Sequence, residues 1–242
     1  MTLYDTIGAD YADLRRPDPR IGRIVDDGLG AARTVVNVGA GTGAYEPRGR
    51  QVTSVEPSAG MIGKRTHSDG AVVQASAEAL PFPDNAFDAA MAVLTVHHWS
   101  GKARGLREMR RVVRGPVVIL SFDPDWRPWL TDYLPELALL DAMQMPPIDF
   151  YAQHLGAVSI TPVPVPHDCT DGFLYAFWRR PEMYLDARYR KGSSAFWALG
   201  DAVMPGLARL EGDLRSGEWH RRHADLATRE TLDVGYRLIV TV

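Results

Sequence analysis

Five short, mostly apolar and β-branched runs set the rhythm of the first half of the chain: 34–38, 51–55, 71–74, 87–96 and 116–122. Runs that stay apolar, rather than alternating with polar residues, suit strands buried on both faces. Helical spacing falls between them, over 58–66 and 101–113. Alternating strand and helix predicts βαβ units around a mostly parallel sheet. After Phe122 the pattern changes. The stretch 124–147 is rich in Trp, Leu and Pro, with Leu130, Leu134 and Leu137 near helical spacing, and reads as an inserted helical cover. A further helix is expected over 150–155, an edge strand over the proline-broken 158–165, and aromatic helices over 172–215. Val234 to Val242 reads as a last strand returning to the same sheet. The expectation is one domain with an insertion, free of repeats and low-complexity segments.

The strongest local signal is a strand that runs into glycines, Val35-Val36-Asn37-Val38-Gly39-Ala40-Gly41-Thr42-Gly43. Glycines let the backbone approach a ligand and take dihedrals that a Cβ forbids. In an open α/β sheet the ligand sits beyond the carboxyl ends of the strands. Glu56, closing the second run, places a carboxylate where it can accept both hydrogen bonds of a ribose diol. The loop and Glu56 fit a nicotinamide dinucleotide equally well, since Gly39 to Ala44 satisfies G-x-G-x-x-G/A. On the loop alone, nucleotide binding and a plain tight turn are equally open.

Three later motifs break the tie. Ala75 to Asp88 leads into the fourth run, and Leu94-Thr95-Val96-His97-His98-Trp99 closes it. Arg107 to Pro116 then precedes the fifth. In this order the set resembles the class I S-adenosylmethionine-dependent methyltransferases, the branch that includes the ubiquinone and menaquinone C-methyltransferases. The resemblance covers 30–123 in detail. It implies a Rossmann-like fold: a seven-stranded, mostly parallel sheet with an antiparallel last strand and helices on both faces. It also implies a division into an N-terminal helical cap (1–30), a cofactor core (31–123), a helical insertion or lid (124–157) and a C-terminal part completing sheet and acceptor pocket (158–242).

The same resemblance implies residue roles. The loop Gly39, Ala40, Gly41, Thr42 and Gly43 passes under the methionine part of S-adenosylmethionine, whose product is S-adenosylhomocysteine. Glu56 holds the ribose. Pro57, Ser58 and Met61 border the adenine, Ala77 and Glu78 meet its edge, and Leu94, Thr95 and His97 lie beside the sulfonium. Tyr11 or Arg16 is offered for the cofactor's carboxylate, against a solvated helix with aromatic anchors. Asn37 departs from the acidic residue usual at its position, which removes a charge beside the cofactor's amino group.

Composition adds limits. With 27 basic and 30 acidic residues the formal charge is −3, so there is no electrostatic case for a nucleic-acid partner. One cysteine excludes an internal disulfide, and no run approaches the roughly 20 apolar residues of a membrane span. A cytoplasmic protein is expected, and Arg far outnumbering Lys fits a GC-rich bacterial genome. Neither His220-x-x-His223 nor any other group forms a metal pattern, so no metal is expected. Candidate bases are His97, His98, His167 and Tyr11, with Asp168 beside His167, each weighed against a structural role. The acceptor expected is a small, partly apolar molecule under the aromatic cover. Two other classes remain: an NAD(P)-dependent oxidoreductase, and a protein that binds S-adenosylmethionine without catalysis.

Overall fold

The computed structural model describes residues 14–65 and 70–242. Strands β1 (Thr34–Val38) and β2 (Gln51–Val55) coincide with the first two predicted runs. β3 (Val72–Val73), β4 (Ala89–Val93) and β5 (Val117–Phe122) trim the next three. β4 stops three residues short of the predicted Val96 because Leu94 turns the chain with φ +51°. β6 (Val158–Pro162) and β9 (Tyr236–Thr241) complete one sheet in the order β3-β2-β1-β4-β5-β9-β6. β1 to β5 run parallel, and β9 is antiparallel to both β5 and β6. This is the expected Rossmann-like arrangement, closed by an antiparallel last strand.

Burial on both faces explains the unbroken apolar runs. Val118, Leu120 and Phe122 of β5 point into one core, and Val117 and Ile119 into the other. The first core also takes Ile21 and Val25 of α1 (Pro19–Gly28), whose N-cap Asp18 accepts the Arg20 N–H and whose first residue is proline. α2 (Ala59–Gly63) follows β2, and α3 (Lys102–Arg111) packs Leu106 and Met109 into the second core.

Between β5 and β6 the chain forms α4 (Leu130–Tyr133), α5 (Pro135–Gln144) and α6 (Ile148–Leu155). The stretch 172–215, expected to hold aromatic helices, does so only in short pieces. It passes through turns into a 3₁₀ turn at Pro181–Tyr184, α7 (Ala187–Arg190), α8 (Ser194–Leu199) and α9 (Met204–Ser216). Pro181, and Gly200 at φ +52°, supply the breaks. A two-stranded ribbon, β7 (Val165–Pro166) with β8 (Thr231–Leu232), and α10 (Glu218–Arg222) lie in the same region.

Candidate active site

The site is built where β1, β2 and β4 end side by side. At Gly39 the backbone takes φ +72°, and a Cβ there would lie 2.2 Å from the Thr95 hydroxyl oxygen. The loop is therefore closed to any side chain at this position. The Gly39 and Ala40 N–H groups donate to the Val55 carbonyl at 2.8 and 3.0 Å, which ties the turn to the end of β2. One residue on, the Glu56 carboxylate accepts the Gly41 N–H at 2.8 Å and the Ser58 N–H at 2.9 Å. Two backbone donors thus hold it in one orientation. Ser58 in turn caps α2 by accepting the Met61 N–H at 3.2 Å.

These groups wall a cavity of about 420 Å³. Most of the expected cofactor residues line it: Asn37, Gly39 to Thr42, Glu56 to Ser58, Met61, Ala77, Glu78, Leu94 and Thr95. Glu78 is engaged structurally, accepting the Gly101 N–H at 2.8 Å and the Ser100 hydroxyl at 3.0 Å. Burial raises its pKa, but these hydrogen bonds outweigh that and hold the carboxyl below its usual range.

Several expectations are displaced. Arg16 is exposed and lines only an adjoining surface hollow, while Arg15 lines both that hollow and the cavity, its guanidinium Nε 2.6 Å from Asp171. Pro17 follows at once, so the pair does not continue a helix whose phase could be read from sequence. Gly43 faces the Arg65 guanidinium rather than the cavity. His97 lines a neighbouring hollow, and His98 contributes to both. His167 lies on neither; it sits at β7, 3.4 Å from Glu230. Asp168 pairs with Arg20 at 2.8 Å. Tyr11 falls outside the described residues.

Sequence reasoning missed Tyr45 and Trp99, both buried in the cavity wall. Tyr45 donates its hydroxyl to Asp171 at 2.8 Å, so Arg15 and Tyr45 are fixed by one buried carboxylate from a segment 126 residues further on. No local pattern announces that pairing. Burial, then Asp171, pushes the Tyr45 hydroxyl well above the usual phenol range, so it stays a donor.

The charge missing at Asn37 is found nearby. The Asn37 amide donates to Glu46 at 3.1 Å, and Glu46 also accepts from the Ser54 hydroxyl at 2.6 Å and from Arg65 at 2.7 Å. Arg65 reaches on to the Gly41 carbonyl at 3.2 Å. The carboxylate therefore stands nine residues along, neutralised by a buried arginine that also pins the glycine loop.

Both histidines after β4 are poor cations. Burial, then His98, pulls His97 well below the usual imidazole range; burial, then Arg15 and Lys102, pulls His98 down to about 4. Near neutrality both rings are uncharged.

Similarity to known proteins fits this geometry. A methyltransferase domain family matches residues 36–119. A structure of a putative methyltransferase from an antibiotic biosynthesis pathway of Anabaena variabilis superimposes with a TM-score of 0.86 at 36% identity, covering 95% of this chain and 99% of that one. The chain belongs to the class I S-adenosylmethionine-dependent methyltransferase family. A demethylmenaquinone methyltransferase of Renibacterium salmoninarum is 35% identical over 122 residues, 46% of this chain. The aligned stretch spans 52% of that relative's length, so the chain spans about half the length of the curated relatives it matches. Geranyl diphosphate C-methyltransferase from Streptomyces coelicolor shares the fold, with a TM-score of 0.52 at 16% identity, covering 92% of this chain and 78% of that one.

Methyltransferases of this class need room for an acceptor beside the cofactor. Here a second cavity of about 70 Å³ adjoins the first, with Arg15, Leu94 and His98 in both walls. Leu94, a non-glycine residue at φ +51°, stands at this junction. Backbone strain of this kind concentrates where function over-determines geometry. Among the described residues no group of His, Cys, Asp and Glu could hold a metal ion, and no helix is long and apolar enough to cross a membrane.

Proposed function

We propose that this protein transfers the methyl group of S-adenosylmethionine to a small, partly apolar acceptor. The observation that carries the reading is the cradle at the carboxyl ends of β1, β2 and β4: a side-chain-free turn at Gly39 facing a carboxylate oriented by two backbone N–H groups. The residues present fit the cofactor. Glu56 accepts the ribose hydroxyls, Met61 gives the adenine an apolar face, and Arg15 supplies a cation in the same wall. S-adenosylmethionine, when bound, supplies an electrophilic methyl carbon on a positively charged sulfur. Since that charge disappears on transfer, the protein has little new charge to stabilise. Its contribution is alignment and exclusion of water, and orientation alone is worth up to roughly 7–11 kcal/mol. The neutral His97 and His98 suit this role, because they add no cation that would oppose the sulfonium.

The test is calorimetric titration of the full chain with S-adenosylmethionine, NAD and NADP in parallel. Binding of S-adenosylmethionine alone, at micromolar concentration, is expected. Binding of NAD or NADP in its place would move the protein to the oxidoreductases.

A further inference from the structure

The second cavity holds one carboxylate, and it is buried. Asp141 lies on the inner face of α5 and is 4% exposed. Its Oδ2 accepts the Tyr175 hydroxyl at 2.6 Å. Among the described residues no other side chain bonds to this carboxylate, which leaves Oδ1 for a ligand in the cavity it lines. Around it stand the rings of Phe122, Phe173, Tyr175 and Tyr236. An acid in such surroundings, with one strong hydrogen bond and open space on its other side, adds nothing to packing that a leucine would not improve.

We propose that Asp141 is the general base of this site, accepting the proton of a hydroxyl on a neutral, aromatic acceptor, with Tyr175 as its positioning residue. The inference rests on the methyltransferase reading and specifies its acceptor side. The aromatic walls select a flat apolar body. A hydroxyl on that body is a donor that the Asp141 carboxylate can accept from. In the step, the acceptor's O–H proton passes to an Asp141 oxygen as the acceptor oxygen bonds the methyl carbon. The sulfur–methyl bond breaks, and its electron pair stays on sulfur. A sulfonium, a neutral alcohol and a carboxylate become a thioether, a methyl ether and a carboxylic acid, so charge and atoms balance.

The protonation chemistry agrees. Burial raises the Asp141 carboxyl to about 6 against the lowering by Tyr175 and Arg127, which places it near the working pH of a base. The other titratable or charged groups facing the cavity are Tyr236, His97, His98 and Arg15. Tyr236 is held well above the phenol range, and the histidines are pulled below the imidazole range. Between pH 5 and 8 the titrating member is therefore Asp141.

Phenol serves as probe, with toluene as the control that lacks the donor, followed by amide NMR shifts on the full chain from pH 5 to 8. Phenol is expected to shift the cavity residues and to bind tighter as pH rises through about 6. Asp141→Asn should weaken phenol at least tenfold at pH 7.5 and flatten the pH profile, and Tyr175→Phe should move the midpoint upward, since it removes the hydrogen bond that lowers it. Calorimetric binding of S-adenosylmethionine should survive in both variants, which shows that they are folded. Equal phenol binding by wild type and Asp141→Asn, or toluene binding as tightly as phenol with the same pH profile, would overturn the assignment. Loss of S-adenosylmethionine binding in the wild type itself would instead refute the methyltransferase reading, whatever phenol does.

Discussion

Gly39 is the residue with the least freedom to change. Its φ of +72° and the 2.2 Å approach of a built Cβ to the Thr95 hydroxyl leave neither conformation nor space for a side chain. Gly39→Val is expected to lower stability by about 1–3 kcal/mol and to abolish S-adenosylmethionine binding, read by thermal denaturation and calorimetry. Asn37 makes a subtler case. Its motif position called for an acid, and sequence alone predicted a lost charge. The structure shows Glu46 3.1 Å from the Asn37 amide, so restoring the acid would set two carboxylates against each other. Asn37→Asp should therefore destabilise by about 1–2 kcal/mol, and a second change, Glu46→Gln, should recover most of it. Full stability in Asn37→Asp alone would contradict this account. Local motifs made Gly39 and Glu56 legible because their chemistry lies within one turn of chain. Arg15 and Tyr45 were not, since Asp171 that fixes both is distant in sequence.

At the scale of elements, the first three strands could be read to within two residues at either end because two-sided burial writes itself as continuous apolar runs. The helical cover was half legible. Leu130, Leu134 and Leu137 lie at near-helical spacing, and the next residue at that spacing is Asp141. An acid ending an apolar stripe was the available signal for the second cavity. The opposite face exposes Leu139 and Met143, so polarity alone would have turned α5 the wrong way. Burial of Asp141 has a stability consequence of definite sign. With its carboxyl raised to about 6 in the fold, ionisation opposes folding above that pH, and the penalty fades as pH falls toward 4. Asp141→Asn should accordingly raise the melting temperature at pH 7.5, a gain of about 2 kcal/mol, and lose that advantage near pH 4. Asp18 works the other way. Burial favours its neutral form, but Arg20 and the Thr170 N–H outweigh that and bring it down to about 2. Its support for α1 is complete above about pH 4, the unfolded value, and is lost as pH falls through about 2. Asp18→Ala should lower stability at pH 7 by about 2 kcal/mol and remove part of the acid-induced loss.

For the whole molecule, the strand order places the β1–β4 crevice at the point where the chain reverses direction across the sheet; the first cavity opens there, and the second adjoins it at the ends of β4, β5 and β9. The proposed acceptor side draws on α5, the turns after Asp171, the segment around the start of α8, and β9. With Arg15, the end of β4 and Phe122, seven separate pieces of chain meet, and only the folded topology joins them; that is why the glycine-loop side of the candidate site was legible and this side was not. The central claim is that Glu56 holds the ribose of S-adenosylmethionine. Calorimetric affinity of the wild type and Glu56→Ala, measured side by side, tests it most directly. The account predicts micromolar binding by the wild type and a loss of ten- to a hundredfold in the variant, the scale of hydrogen bonds to a charged group, about 1.5–3 kcal/mol. Equal affinity in the two proteins would contradict it.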